Sequence, residues 1–248
     1  MSRPRVLVVR SGSRSFAQDS GDSRIEVVEK VSHWIEPVLR GREALARPAE
    51  LAIFTSQIAV ARVFSDGRLG SMFRESLAHG RVAAVGPATA KALERYGVTP
   101  NLVASGSADD ILEKLPADLA GTRVLLPRGV DSNPELAAGL ARRGAQVAGV
   151  EVYRKVPEPA DPALDREIVA RPFAAFCATS PSAARWLFSG IGEEAVATLR
   201  RTVAVALGPS TREFLASQGV ERVEAPRRRT FSEAARLLES LAVAGSGA

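Results

Sequence analysis

The sequence predicts an α/β fold made of two related domains, each a doubly wound parallel sheet. Three observations lead there. Short apolar runs alternate with stretches of helical periodicity along the whole chain, the pattern of parallel strands covered by helices on both faces. The two halves of the chain resemble each other. The overall make-up of the 248 residues, 46% hydrophobic and 25% charged, is that of an ordinary globular protein, with length for two domains that each bury a core.

Buried strands are expected at residues 6–9, 25–31, 51–54, 82–85, 124–126, 147–152, 173–178 and 203–207, where apolar side chains gather in short runs. Helices are expected at 57–64, 88–96, 109–115, 134–143, 182–188, 211–218 and 232–241, where apolar residues recur at three- and four-residue spacing. Gly97, Gly144 and Gly219 stand where a helix C-terminus calls for a positive φ. Residues 11–23, SGSRSFAQDSGDS, interrupt the pattern with a polar stretch, so the first crossover is expected to be short, frayed or looped. The last seven residues, 242–248, are expected to fray.

The internal repeat is explicit. VGPATAKALERYGV, from Val85 to Val98, aligns with LGPSTREFLASQGV, from Leu207 to Val220, at a constant offset of 122, with six of 14 positions identical. FTSQIAVARVF from Phe54 pairs with ATSPSAARWLF from Ala178 at an offset of 124, and RVLVVR from Arg5 with RVLLPR from Arg123 at an offset of 118. A period near 120 residues is too long for a solenoid and fits a duplicated domain.

Composition excludes several classes of function. One cysteine, Cys177, rules out a disulfide framework and a cysteine-based zinc site. His33 and His79, the only histidines, leave little for metal ligation or a Ser-His-Asp triad. The N-terminal MSRPRVLVV has no signal-peptide core, and no run approaches the length needed to cross a bilayer. A cytoplasmic protein without membrane partners is expected. Lys and Arg total 33 against 28 acids, and apart from Lys30, Lys91, Lys114 and Lys155 all are Arg. Arginine suits a polyanionic ligand, and an Arg- and Ala-rich chain also reflects codon usage. Outside Arg227–Arg229 the charges are dispersed, which is not the stripe of a nucleic-acid binder.

Four strand-to-helix junctions share one design. Phe54 leads into Thr55-Ser56, Val85 into Gly86-Pro87-Ala88-Thr89, Ala178 into Thr179-Ser180-Pro181 and Leu207 into Gly208-Pro209-Ser210-Thr211. Ser or Thr suits a helix N-cap and Pro the first helical position. Each such helix start points free backbone N–H groups and a positive dipole end at the rim where open parallel sheets bind ligands. Carboxylates and phosphates are the natural guests. Singly, each junction reads first as a plain cap; their recurrence in both halves is what suggests a ligand-binding cleft. Neither GxxxxGK[ST] nor GxGxxG follows a strand.

The ordered set VGPATAKAL, LGPSTREFL, FTSQIAV and ATSPSAA, with LLPRG and VEVY between them, resembles the uroporphyrinogen-III synthase family from about Val6 to Leu241. That resemblance implies an α/β fold of two related doubly wound parallel-sheet domains joined by a two-stranded linker. One domain is then formed by residues 1–28 with 157–248 and the other by 36–150, with linker strands at 29–35 and 151–156. It implies a cofactor-free, metal-free hydro-lyase that closes linear hydroxymethylbilane to uroporphyrinogen III, inverting the last pyrrole ring and losing water. The enzyme would be monomeric, and the upstream hydroxymethylbilane synthase is the candidate protein partner.

Carried over residue by residue, the resemblance makes Tyr153 the candidate proton donor. Its other reading is a linker tyrosine packed on Pro157 or Trp34. Thr89 and Thr211 match the family's GxxT threonines, and Arg10 and Arg128 the arginines that end the first strand of each half. Thr55, Ser56, Gly86, Thr179, Ser180 and Gly208 complete the expected substrate-binding set. The chain departs from the family after Arg10, where an Arg-Pro and a helix are usual and Ser11 begins the polar stretch. Cys177 is expected to be inert core. A non-catalytic, tetrapyrrole-binding or regulatory relative is the main alternative.

Overall fold

The computed structural model describes residues 3–12 and 24–245. In chain order the elements are β1 (Arg5–Ser11), β2 (Glu26–Arg40), a 3-10 turn (Arg42–Ala46), β3 (Leu51–Phe54), α1 (Gln57–Ser65), α2 (Gly67–Ser76), β4 (Arg81–Ala84), α3 (Pro87–Glu94), β5 (Leu102–Val103), α4 (Ala108–Lys114), β6 (Arg123–Gly129), α5 (Glu135–Arg142) and β7 (Gln146–Pro157). The remainder is α6 (Pro162–Ala170), β8 (Ala175–Ala178), α7 (Pro181–Ser189), α8 (Glu193–Arg201), β9 (Val203–Ala206), α9 (Pro209–Ser217), β10 (Val223–Glu224) and α10 (Phe231–Gly245). Contacts divide the chain into unit 1, Met1–Trp34 with Val156–Ala248, and unit 2, Ile35–Lys155. Both divisions fall inside the segments expected to be linkers, and β2 and β7 run through them as continuous strands.

Each unit has the same strand order. In unit 1 it is β2-β1-β8-β9-β10, and in unit 2 it is β7-β6-β3-β4-β5. All these pairings are parallel. Numbered from β1, unit 1 reads 2-1-3-4-5, a doubly wound order whose ligand-binding switch point lies beside strand 1 and strand 3. That point falls at the C-terminal ends of β1 and β8 in unit 1 and of β6 and β3 in unit 2.

Strand pleat explains the cores. On β1, Leu7 and Val9 face a cluster with α6 to α9, whereas Val6 and Val8 face α10. On β3, Ala52 and Phe54 pack towards α1 to α3, and Ile53 towards α4 and α5. Buried on both faces, these strands read as unbroken apolar runs, and each large side chain removed from water contributes roughly 1.5–3 kcal/mol. Burial pushes the Cys177 thiol on β8 up to about 12, in keeping with an inert core position.

Three helices, α2, α6 and α8, lie outside the stretches expected to be helical. α8, EEAVATLRR, buries only Ala195 and Leu199 but has acids in its first turn and arginines in its last, which complement the helix dipole. α2 contains Gly67 and Gly70 and starts on the Asp66 cap. α6 starts on Asp161, whose carboxylate accepts from Ala163 N and Leu164 N, with Pro162 in the first turn. A hydrogen bond from Lys30 holds the Asp161 carboxyl below its ordinary range, with the backbone bonds adding to it. The C-terminal expectation is corrected in part: α10 continues to Gly245 because Ala242 is fully buried against the unit 1 core. The positive φ values of Gly97, Gly144 and Gly219 are as expected. Most of the polar stretch, residues 13–23, lies outside the described residues, as do 246–248.

Candidate functional site

Parallel strands deliver their C-terminal ends, and the starts of the following helices, to one edge of each sheet. In unit 2, Ser56 caps α1 by accepting from Ala59 N at 3.1 Å. Its counterpart in unit 1, Ser180, caps α7 by accepting from Ala183 N at 3.1 Å. Gly86 and Gly208 are the N-caps of α3 and α9, followed by Pro87 and Pro209. Extended backbone at all four caps leaves the first-turn N–H groups directed outward, as anion-binding helix starts require. Thr55 is exposed, and Thr179, Ser180, Gly86 and Gly208 are half-buried.

Thr89 and Thr211 sit deeper than the caps before them. They are 6% and 2% exposed and occupy the third helical positions of α3 and α9.

The two strand-end arginines differ. Arg10 is 7% exposed, with its Nε paired to Glu29 Oε1 and its Nη1 donating to the Gly12 carbonyl. Arg128 keeps 30% side-chain exposure and donates from Nη2 to Glu151 Oε1 at 3.3 Å. Its Nε is buried and has no hydrogen-bond partner among the described residues. Glu151 also lies 3.9 Å from Arg40 Nη1.

Tyr153 is 6% exposed and belongs to the unit 2 core with Phe54, Val60 and Val152, rather than standing in a bare linker. Its hydroxyl lies 3.4 Å from Ser56 Oγ. A register shift brings it there. Arg128 faces Glu151, but Gly129 faces Tyr153, so Val152 is the extra residue of a bulge. Two residues on, burial holds the Lys155 amine below the ordinary lysine range, opposed by the charge of Asp131.

Unit 1 has the same shift: Arg10 faces Val31, and Ser11 faces His33. Here Ser32, the bulged residue, donates from Oγ to the Arg10 carbonyl at 2.9 Å, with His33 Nδ1 2.9 Å away. Ser11 Oγ lies 3.3 Å from Ser32 Oγ and 3.4 Å from Ser180 Oγ. Sequence reasoning gave Ser32, His33 and Gly129 no role. The signal for Gly129 was present in the repeat, where it stands in place of Ser11. Among the described residues no His, Cys, Asp and Glu side chains gather into a metal-holding group, and no helix is long and apolar enough to cross a membrane.

Comparison with known proteins agrees with this architecture. A family model described as uroporphyrinogen-III synthase HemD matches residues 30–234. A Methanothermobacter thermautotrophicus protein named "Putative uroporphyrinogen-III synthase" is 32% identical over 219 residues, covering 82% of this chain and 81% of that one. The crystal structure of a mutant uroporphyrinogen III synthase from the extremely thermophilic bacterium Thermus thermophilus superposes with a TM-score of 0.73 at 22% identity, covering 97% of this chain and 99% of that one. The enzyme from Helicobacter pylori gives 0.63 at 16% identity, with 96% and 99% covered. These two likenesses establish the shared α/β fold. With the family model spanning most of its length, the chain belongs to the uroporphyrinogen-III synthase family.

Proposed function

We propose that the chain is itself a uroporphyrinogen-III synthase, closing linear hydroxymethylbilane to uroporphyrinogen III with inversion of the last pyrrole ring. The observation that carries the reading is the Tyr153 hydroxyl held beside the α1 cap, 3.4 Å from Ser56 Oγ, in a chain of this family. The reaction is balanced in protons. The hydroxymethyl group takes up one proton and leaves as water, and the resulting azafulvene cation is attacked by the substituted carbon of the terminal ring. Fragmentation and recombination of the spiro intermediate invert that ring, and one proton is released.

Tyr153 donates the first proton. Ser56 Oγ already accepts from Ala59 N, so its own hydroxyl proton is directed to the phenolate oxygen that remains. The positive end of α1 favours the same charge. Substrate acetates and propionates bind the first-turn N–H groups at Thr55-Ser56, Gly86, Thr179-Ser180 and Gly208, with the Arg128 guanidinium as a further donor. Thr89 and Thr211 contribute by fixing the turns that carry these donors, and Arg10 by tying β1 to β2 through Glu29.

Hydroxymethylbilane closes without an enzyme to the uninverted isomer I, which makes the isomer the test. Purified protein is mixed with hydroxymethylbilane and the uroporphyrin isomers are separated after oxidation. Isomer III as the main product is expected. Isomer I alone, at the uncatalysed rate, overturns the enzyme reading and leaves a tetrapyrrole-binding relative in its place.

A further inference from the structure

Tyr153 owes its position to a residue with no side chain. A Cβ built on Gly129 would come within 2.7 Å of Tyr153 Cε2, 2.8 Å of Cζ and 3.1 Å of the hydroxyl oxygen. Real Cβ atoms do not approach that closely, and the obstacle is a rigid ring packed in the core. The β6–β7 bulge sets Gly129 opposite Tyr153, and Val130 N then bonds the Tyr153 carbonyl at 2.9 Å. Backbone pairing thus fixes both partners while the missing side chain admits the ring. Gly129 has no positive φ, so backbone freedom does not account for a glycine here; space does.

We infer that Gly129 is a positioning residue for Tyr153, keeping open the seat from which that hydroxyl reaches Ser56. The catalytic half of this inference rests on the proposed synthase reaction; the positional half does not. An alanine at this position must push the phenol away from Ser56 while leaving Tyr153 in the chain. A displacement near 1 Å at a reacting group costs up to about 10²-fold.

The experiment has two arms. The chain contains only two tyrosines, Tyr96 and Tyr153, so ring-labelled tyrosine gives two sets of NMR signals, assigned with Tyr96→Phe. In the unchanged protein, Tyr153 ring protons should show Overhauser contacts to the Gly129 α-protons; their absence overturns the inference without any variant. Gly129→Ala should shift the Tyr153 signals and leave those of Tyr96 in place. In the second arm, Gly129→Ala should lower kcat for isomer III about 10–100-fold with KM changed little. In a Tyr153→Phe background the same change should cost less than about twofold, because no hydroxyl remains to be misplaced. Losses that multiply, or an unmoved Tyr153 signal, overturn the inference. Should Gly129→Ala not fold, the Overhauser contacts still decide the positional half. A wild-type protein that makes no isomer III sinks the synthase reading alone, and the Tyr153 signals still decide what Gly129 does.

Discussion

The β1–β2 edge of unit 1 and the β6–β7 edge of unit 2 are built on one plan and finished differently. Both pair in parallel, and both shift register just after an arginine. Position by position, Arg10 corresponds to Arg128, Ser11 to Gly129, Glu29 to Gly149 and His33 to Tyr153. Where unit 1 has Glu29 on the Nε of Arg10, unit 2 has Gly149, and the Arg128 Nε finds no partner among the described residues. Where unit 1 has Ser11 joined to Ser32 and Ser180, unit 2 has Gly129 and a phenol lying over it. Two glycines therefore separate an edge where a carboxylate and a serine engage their neighbours from one where the Arg128 Nε has no partner among the described residues and a phenol fills the space. The backbone is shared; the commitment of its side chains is not.

Five substitutions break or sharpen that contrast. The largest effect is expected from Tyr153→Phe, which keeps the ring and its packing but removes the proton. General acid assistance is typically worth about 10²–10⁴-fold, so isomer III should fall by that factor while isomer I rises. Wild-type rates of isomer III in the variant would make Tyr153 structural. Next comes Arg10→Ala, which breaks a largely buried ion pair and should cost about 3 kcal/mol in denaturant unfolding. The matching Arg128→Ala should barely change the unfolding midpoint. It should instead weaken substrate binding by roughly 1–2 kcal/mol, the worth of one partly solvated charged hydrogen bond.

A sharper variant is Gly149→Glu, which installs in unit 2 the carboxylate that unit 1 already has. The three atoms nearest to an added Cβ all belong to the Arg128 guanidinium, at 3.2–3.5 Å. Substrate binding should then fall by about the same 1–2 kcal/mol as in Arg128→Ala, with stability unchanged or improved. Additive losses in the Arg128→Ala, Gly149→Glu double variant would show that the new carboxylate acts elsewhere. The smallest effect concerns Lys155→Met. Burial lowers the folded-state pKa of Lys155, so between that value and the ordinary lysine pKa the unfolded chain binds more protons. Stability therefore rises with pH through this window, and the burial penalty is fully present below it. Lys155→Met should be the more stable protein at neutral pH, its advantage shrinking as pH approaches about 10.4.

How far the sequence reveals this molecule depends on the kind of interaction. The caps were legible because they are local: Ser56 and Ser180 reach N–H groups three residues ahead, within one sequence window. The central strands were legible because burial on both faces leaves an unbroken apolar run at β1, β3 and β8. α8 was not, because its apolar face is short, Ala195 and Leu199 with Val196 beside them, and is enclosed by two acids and two arginines. Nor was the environment of Tyr153. A bulge is a relation between two strands, and nothing within VEVY shows which residue of β6 will face the tyrosine. The burial of Thr89 and Thr211 is not legible either, because a GxxT turn does not show in sequence which side of the third helical position of α3 and α9 is covered.

The discontinuity of unit 1 bears on how the chain folds. Its first two strands are made early, yet their neighbours β8, β9 and β10 come only after Ile35–Lys155. Closing an unstructured excursion of that length carries an entropy cost of about 4 kcal/mol. Unit 2, by contrast, is one uninterrupted stretch and has its full set of strands as soon as that stretch exists. Once formed, it brings its own two ends together, with Arg154 Nε 3.1 Å from Glu36 Oε2. The long excursion is then reduced to a short closure, and β1 can meet β8 at a fraction of the original entropic cost. Pulse-labelled hydrogen exchange during refolding should accordingly protect the amides of β3 and β6 before those of β1 and β8; the reverse order would mean that the split unit nucleates despite its divided sequence.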